Sequence, residues 1–576
     1  MAVAAEAIPL SGETTEFRTC PVTTYKVDLA AERLIKANAV AGVVFLLIGG
    51  AFALLIALTR WQVFHLLPAD WFYRALTAHG LDMLVAWIVF FEVAGLYFGG
   101  AVMLNARLVK PALAWAAFVL MVVGAVLINV VVLMGDADVM FTAYVPLKAS
   151  PLFYLGIILF AVGALVAVGI FFATVLVAKI EKAYEGSLPL VVFGLVTAAI
   201  IAVYTLISGA IAFIPAEFWS LGWMARYDPA FYRNLFWSFG HSAQQINLAA
   251  MVSIWYALGA ITVGAVPLNE KFSRLAFILY LVGINLGSAH HLLVDPGPGF
   301  AWKATNTSYI MYLAVLGSLI HAFSIPAATE VALRRQGHNR GLLGWLRRAP
   351  WGEPGFSALV MSMFVFGWIG GVTGVVIGTE QINMTAHNTM RLPGHFHATV
   401  VAGTTTAFMG LTYYLIPLIF RKRLKFKKVA QWQPYVYGIG MAIAAIGMIA
   451  SGLQGVPRRH WDITFAQAPF KAPLPGTAEL SLTVFGIGAI IAIVGGMMFM
   501  LVVLASVFTG KREEAGRLTL LAEDANPLTK ATPLTEEDER RFKPKGSLVI
   551  VIAFLMFFAL YYFSNWWLLG RMWAIR

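Results

Sequence analysis

The 576-residue chain is poor in cysteine and in charge. Its one cysteine, Cys20, excludes an internal disulfide framework and any metal cluster built on cysteines of this chain. Charged residues make up only 12% and hydrophobic residues 60%, which is not the composition of a soluble domain. The net charge of +12 lies in short loops between apolar runs, so a nucleic-acid partner is not expected.

Apolar runs of the length needed to cross a bilayer, about 20 residues, recur along the chain. We predict thirteen, with approximate bounds 37–59, 80–104, 111–135, 151–178, 188–214, 236–265, 273–293, 307–329, 356–379, 397–420, 434–453, 479–508 and 546–567. The fold class is therefore an all-α polytopic membrane protein. Lys and Arg gather after the even-numbered runs, which by the positive-inside rule places those loops and the N-terminus in the cytoplasm and the C-terminus outside.

Four parts are predicted along the chain. Residues 1–36 form a polar cytoplasmic arm without a cleavable signal peptide, and residues 37–510 form a twelve-helix core. The charged, proline-containing stretch 511–545 is a cytoplasmic linker, and 546–576 hold the thirteenth helix and a short outer tail. A bacterial cytoplasmic membrane is the natural setting.

Histidines gather at the predicted outer ends of these helices. Six of the chain's eleven lie there, namely His79, His241, His290, His291, His395 and His397. A polar ring within a lipid-spanning helix costs free energy unless it is partnered. Because neutral imidazole binds iron, copper and zinc, a shared metal centre explains the grouping better than six separate packing roles.

Spacing divides the six between sites. His395 and His397 are two residues apart and point about 200° apart on a helix, so each can bind a separate metal. Adjacent His290 and His291 end one helix and, with His241 from the preceding helix, can make a three-imidazole site with an open position. The set suits one six-coordinate heme, one five-coordinate heme and one three-histidine metal.

Several motifs resemble those of the heme-copper oxygen reductase superfamily, closest to its B-type (cytochrome ba3-like) branch. They are Gly240-His241, Ala289-His-His-Leu-Leu-Val-Asp295, His387-Asn-Thr389 and Pro393-Gly-His-Phe-His397. The resemblance implies a low-spin heme, b-type, on His79 and His397, a high-spin heme on His395, and copper B on His241, His290 and His291. It also implies a layer facing the heme propionates that contains Arg458, Arg459, His387 and Asp295.

One departure from the family pattern bears on the substrate. Oxygen reductases of this branch carry a tyrosine four residues after the helix-six histidine, where this chain has Gln245, and another branch supplies it from the position of Ile284. Reduction of nitric oxide to nitrous oxide needs two electrons rather than four, and family members that catalyse it also lack the tyrosine. We therefore expect a nitric oxide reductase, with an oxygen reductase (cytochrome c oxidase) as the alternative and a heme-free transporter as a remote one.

The remaining predictions concern metal, protons and partners. Three histidines without a carboxylate favour copper over iron at the non-heme site. A candidate proton path from the cytoplasmic side consists of Tyr256, Ser318, His321 and Ser324. The alternative is that these residues only form hydrogen bonds that hold the helices together. The expected partners are a diatomic gas (NO or O2), membrane lipid, a cupredoxin-like subunit II and cytochrome c or a similar electron donor.

Overall fold

The computed structural model describes residues 16–20, 23, 25–284, 287–465, 469, 474–512 and 533–572. The first fifteen residues of the predicted arm and residues 513–532 of the predicted linker lie outside the described part. Within the described part the chain is almost entirely helical, and its one sheet is a small hairpin.

Among the residues that the structure describes, twelve helices are long and apolar enough to cross a membrane, which confirms the predicted fold class. A shorter helix, Glu270–Leu279, follows the sixth of them and is numbered α7, which makes thirteen in all. The thirteen are α1 Leu29–Arg60, α2 Ala69–Val102, α3 Pro111–Met134, α4 Pro151–Ile180, α5 Leu190–Leu221, α6 Pro229–Val263, α7 Glu270–Leu279, α8 Phe300–Arg335, α9 Pro354–Ile377, α10 Arg391–Phe420, α11 Lys427–Leu453, α12 Thr477–Thr509 and α13 Lys545–Arg571.

The seventh helix departs most from its predicted form. The expected continuous run 273–293 becomes the ten-residue α7, then a π-helical segment Tyr280–Ile284 and a 3₁₀ turn Gly287–His291. The α-helix therefore ends before the His290-His291 pair, and the pair itself lies on the 3₁₀ turn. Such departures from α-helix are common at functional sites.

Burial distinguishes the centre of the bundle from its edge. The most apolar window of α10 is 94% buried, whereas that of α13 is only 11% buried, so α10 lies in the core and α13 faces outward. α11 packs along α12, α5 along α6, and α3 along α4. α10 also contains a π-helical segment, His397–Thr404, which begins at a predicted ligand.

The hairpin of β1 (Phe17–Thr19) and β2 (Lys26–Asp28) precedes α1, with Arg18 opposite Val27. Asp28 caps α1 by accepting a hydrogen bond from the Ala30 backbone N–H. Its second carboxylate oxygen accepts from the Leu108 N–H at 2.7 Å. The hairpin is thereby tied to the connection between α2 and α3.

Candidate metal centre

Two cavities lie on either side of the segment that carries His395 and His397. The first, of about 300 Å³, is lined by four of the six grouped histidines, His241, His290, His291 and His395. The second, of about 420 Å³, is lined by the other two, His79 and His397. His395 and His397 therefore face different cavities, as their spacing on one helix leads us to expect.

Three imidazoles converge in the first cavity. The ligand nitrogens of His241, His290 and His291 all lie within 4.8 Å of one another, and His241 Nδ1 is 3.2 Å from His291 Nε2. Nitrogens that each bind one ion at about 2 Å stand about 3.3 Å apart when the ligands are tetrahedral. The geometry therefore suits a single metal ion held by three imidazoles.

The local backbone explains how two adjacent histidines join the same cluster. His290 and His291 end the 3₁₀ turn, and their ring centroids are 4.3 Å apart. Gly287 lies against the third ring, since a Cβ there would be 3.1 Å from His241 Nε2. Trp237, one turn before His241 on α6, stacks on the His291 ring at 3.9 Å with an interplanar angle of 5° and restrains its orientation.

His395 faces the same cavity from α10. Its Nδ1 lies 2.8 Å from the backbone carbonyl oxygen of Gly370 on α9, so the ring N–H donates there and Nε2 remains an acceptor. Gly374, four residues later on α9, also lies against this ring, since a Cβ there would be 2.6 Å from His395 Cε1.

His79 and His397 form a matched pair across the second cavity. Their ring centroids are 6.2 Å apart and their planes differ by 17°. His79 Nδ1 lies 3.0 Å from the Gly49 carbonyl oxygen, and His397 Nδ1 lies 2.7 Å from that of Pro393. Both Nε2 atoms are thus left as acceptors. If each of these nitrogens lay about 2 Å from one metal between them, the ring centroids would be about 6 Å apart, which agrees with the observed distance.

A positively charged layer lies beside both cavities. Arg458 lines both, and Arg459 lines the second. Burial, followed by the charge of Arg459, lowers the pKa of Arg458 to about 9. Arg459 Nη2 is buried with no hydrogen-bond partner in the described part of the chain. Guanidiniums buried in this way suit a carboxylate-bearing group in the cavity.

The two other residues predicted for this layer lie beside it. Burial lowers the pKa of His387 to about 4, and Arg458 contributes in the same direction. Asp295 forms a bidentate ion pair with Arg233, at 2.6 and 2.8 Å. The guanidiniums of Arg233 and Arg459 both lie over the ring of Tyr144, at 4.3 and 5.1 Å. Arg233, Tyr144 and Trp237 were not singled out from the sequence, because only the fold brings them to the site.

Polar side chains continue from the first cavity toward the other end of α6. Gln245 lines the cavity, and its Oε1 is buried with no partner among the described residues. Of the four predicted proton-path residues, the Tyr256 hydroxyl lies 3.0 Å from His321 Nδ1 and has Ser324 nearby. Ser318 lines the cavity and hydrogen-bonds to Tyr280, a residue that was not predicted. The predicted path therefore consists of two separate groups, one in which Tyr256 contacts His321 and one in which Ser318 contacts Tyr280.

Comparison with known proteins agrees with this arrangement. Residues 33–475 match the family model described as cytochrome c and quinol oxidase polypeptide I. The chain belongs to this family of heme-copper oxidase catalytic subunits. The superfamily predicted from the histidine motifs is thereby confirmed, and the family favours an oxidoreductase over a transporter.

Individual relatives fit the same family. Cytochrome c oxidase subunit 1 of Thermus thermophilus is 30% identical over 433 residues, which covers 73% of this chain and 74% of the relative. Quinol oxidase subunit 1 of Bacillus spizizenii is 23% identical, covering 68% of this chain and 60% of the relative. A cryo-EM structure of a heme-copper terminal oxidase dimer matches the fold with a TM-score of 0.79 and 24% identity, covering 92% of each chain.

Membership implies hemes and a copper or similar metal in a multi-pass membrane oxidoreductase. The donor sets fit these groups. Three anchored imidazoles, on His79, His395 and His397, present free Nε2 atoms to two cavities, and three further imidazoles converge on one point.

Proposed function

We propose that this heme-copper oxidase subunit reduces nitric oxide to nitrous oxide. Two nitric oxide molecules, two electrons and two protons give one nitrous oxide and one water. In this proposal His79 and His397 hold the low-spin heme, which we take to be b-type, and His395 holds the high-spin heme. His241, His290 and His291 hold copper. Bound in these places, the metals supply electron transfer and a two-metal pocket for a diatomic gas.

The protein's part is to hold the rings in position. Each heme-facing imidazole donates its Nδ1–H to a backbone carbonyl, which fixes the tautomer and directs Nε2 to the cavity. Arg458 and Arg459, with His387 and Asp295 close by, form the layer that would face the heme propionates. The two buried guanidiniums would gain a counter-charge when the propionates bind, so heme binding and folding support each other.

Gln245 is the observation that carries the choice of gas. It lies on α6 one turn beyond His241, lines the cavity, and occupies the place where B-type oxygen reductases carry a tyrosine. An amide cannot supply an electron as a phenol can. Residue 245 therefore cannot supply the fourth of the electrons that splitting oxygen requires in quick succession. Reduction of nitric oxide requires only two electrons, which the two metals could supply. Its unpartnered Oε1 is available to accept a hydrogen bond in the cavity.

Reduction of oxygen to water is the second candidate. The relatives named above are a cytochrome c oxidase and a quinol oxidase, and the first is 30% identical. A different phenol, that of Tyr280, also lines the first cavity. The oxygen reductase reading therefore has both sequence similarity and a candidate phenol behind it.

Copper is the better choice at the non-heme site. Among the described residues, the cluster at this position consists of His241, His290 and His291 without a carboxylate. Neutral imidazoles alone suit copper, whereas two histidines combined with a carboxylate are typical of non-heme iron.

We propose that Tyr256, His321, Ser318 and Ser324 carry protons toward the first cavity. Tyr256 contacts His321 and Ser324, and Ser318 reaches the cavity wall. Replacing Ser324 by Ala or His321 by Leu should slow turnover and leave the heme spectra unchanged. Unchanged turnover would show that these groups serve only interhelical packing.

The electron donor and orientation complete the proposal. By analogy with its family, the subunit would receive electrons through a cupredoxin-like subunit II from cytochrome c or a similar carrier. We propose that the N-terminus lies in the cytoplasm of a bacterial cell and the metal cavities near the outer face, because Lys and Arg follow the positive-inside distribution.

The decisive experiment compares the two gases on the purified complex. With an artificial electron donor, nitric oxide and oxygen consumption are measured with electrodes and nitrous oxide by gas chromatography. We expect stoichiometric nitrous oxide, one per two nitric oxide molecules, and a specificity for nitric oxide that exceeds that for oxygen. Rapid oxygen consumption with little nitrous oxide would assign the second candidate instead.

A further inference from the structure

A buried arginine at the start of α10 has no role in the proposed function. Arg391 is only 4% exposed, and its Nη2 donates a hydrogen bond to Asn565 Oδ1 on α13 at 2.6 Å. Tyr561, one turn before Asn565, lies nearby. The Nε atom of Arg391 is buried and has no hydrogen-bond partner in the described part of the chain. The guanidinium is therefore held at the contact between α10 and α13.

The charge of Arg391 has no counter-charge beside it. Among the described residues, its side-chain partners are a neutral amide and a phenol rather than a carboxylate. An arginine side chain stays protonated in proteins, and burying a charge without a partner is costly. A neutral hydrogen-bond donor could hold Asn565 equally well, so attachment of α13 does not by itself explain an arginine at this position.

Arg458 and Arg459 differ from Arg391 in this respect. Each of them lines a cavity in which we propose a heme, so heme propionates would supply a counter-charge. Arg391 lines neither of these two cavities. Its positive charge would therefore remain uncompensated after the hemes bind.

The helix fixes Arg391 close to the proposed ligand of the high-spin heme. His395 follows it by four residues on a regular turn of α10, so the two Cβ atoms are neighbours about 5–6 Å apart. The stem of Arg391 packs against α11, since a Cβ on Gly452 would be 2.8 Å from Arg391 Cγ. His397 points to a different side of α10 and faces the second cavity. The charge is thus placed beside one of the two heme ligands on this helix.

We propose that Arg391 raises the reduction potential of the heme on His395 relative to that of the heme on His79 and His397. Reduction adds an electron to the heme, and a fixed positive charge nearby favours the more negative state. Screening is weak because the guanidinium is buried. Electron transfer toward the first cavity is thereby favoured. This inference rests on the heme ligands of the proposed function, and it holds for either diatomic gas.

The size of the effect follows from Coulomb's law. A unit charge acting over about 12 Å, in a medium with an effective dielectric constant of about 20, changes a one-electron equilibrium about tenfold. A tenfold change corresponds to about 59 mV for a one-electron couple. We expect a smaller change at the low-spin heme, because His397 faces away from the side of α10 that carries Arg391.

The test is a redox titration of the purified complex followed by absorption spectroscopy. Carbon monoxide binding to a separate reduced sample identifies the bands of the high-spin heme. Arg391→Gln removes the charge and keeps a donor for Asn565, so the equilibrium constant for electron transfer from the low-spin to the high-spin heme should fall about tenfold. Arg391→Lys keeps the charge and should retain most of the wild-type value.

Asn565→Asp removes the net charge without removing Arg391. The new carboxylate would take the place of an oxygen that already accepts from the guanidinium at 2.6 Å, so it forms an ion pair at nearly unchanged volume. The potential of the high-spin heme should fall, as in Arg391→Gln, even if the latter variant does not accumulate. Arg107→Gln is the matched control, because Arg107 already pairs with Glu181 at 3.0 Å, and it should change neither potential.

Two results would overturn the inference and leave the proposed heme ligands standing. One is wild-type potentials in Asn565→Asp and Arg391→Gln. The other is an equal fall in Arg391→Gln and Arg391→Lys, because the change would then follow the shape of the guanidinium rather than its charge. His395→Ala tests the ligand itself: loss of the carbon monoxide-binding heme supports the placement on which the inference rests, and its retention would overturn both.

Discussion

Replacing Gly374 by Ala tests whether the position of the His395 ring is set by the close approach of α9. The new methyl carbon would lie 2.6 Å from His395 Cε1 and 3.2 Å from Nδ1. Carbon atoms in contact are normally about 3.5–4.0 Å apart, so the ring must retreat by about 1 Å. The 2.8 Å hydrogen bond from Nδ1 to the Gly370 carbonyl would have to lengthen or break. Displacement of a reacting group by 1 Å can cost about 10²-fold in rate.

The loss should be confined to the centre on one side of α10. In the purified complex, we expect Gly374→Ala to keep the absorption bands of the heme that we propose on His79 and His397. Carbon monoxide binding to the reduced high-spin heme should weaken or become heterogeneous, and turnover should fall about 100-fold.

Helix propensity cannot explain that outcome, because Ala is favoured over Gly within a helix by about 1 kcal/mol. Gly95→Ala on α2 is the matched control, since a Cβ there meets nothing within 4 Å, and its spectra and turnover should be unchanged. Wild-type carbon monoxide binding and turnover in Gly374→Ala would refute the proposed placement of His395.

Two further predictions concern stability. The carboxylate of Glu330 on α8 accepts the backbone N–H groups of Gly546 and Ser547 at 3.0 and 2.6 Å and pairs with Arg334 at 2.8 Å. Glu330→Ala should therefore reduce the free energy of unfolding by about 3–5 kcal/mol, lower the unfolding temperature and expose the start of α13 to trypsin. Glu536→Ala is the control, because Glu536 is exposed and its replacement should have neither effect. For His387, burial lowers the pKa from 6.5 to about 4, so between these values the unfolded chain binds a proton that the folded chain does not. The free energy of unfolding is therefore unaffected by this group above pH 6.5 and decreases as the pH falls toward 4. His387→Gln should flatten the decline of the unfolding temperature over that pH range, and an unaltered decline would contradict the lowered pKa of His387.

The helices were predictable because hydropathy reports directly on the length of chain that must lie in lipid. The exception is the end of α7, where a run that reads as continuous contains the π-helical segment Tyr280–Ile284 and the turn Gly287–His291. Composition does not reveal this break, since apolar residues continue through it. Its reason is tertiary: the turn must bring two adjacent imidazoles to a ring on α6, and Gly287 permits the approach.

The six histidines were predictable as a group, since they share a depth, but the means of holding them was not. The groups that orient His79, His395 and His397 are the backbone carbonyls of Gly49, Gly370 and Pro393. A carbonyl is present in every residue, so no sequence pattern marks those that face a ligand. In the positively charged layer, Arg233 and Tyr144 were missed for a related reason. They are ordinary residues of interfacial segments until the fold places the guanidinium over the ring.

Tyr280 shows most clearly where reasoning from spacing stops. The family's two tyrosine positions are defined relative to the histidine ligands, and in this chain they hold Gln245 and Ile284. Tyr280 lies ten residues before His290, a separation that a regular helix would place nearly three turns from the ligand pair. The hydroxyl nevertheless reaches the cavity wall beside Ser318, because α7 ends at Leu279 and α8 packs against the loosened segment. A phenol can therefore line this cavity from a helix position that the family's spacing does not mark. The absence of tyrosine at the two expected positions bears on electron supply from those positions, and it does not exclude a phenol at the cavity wall.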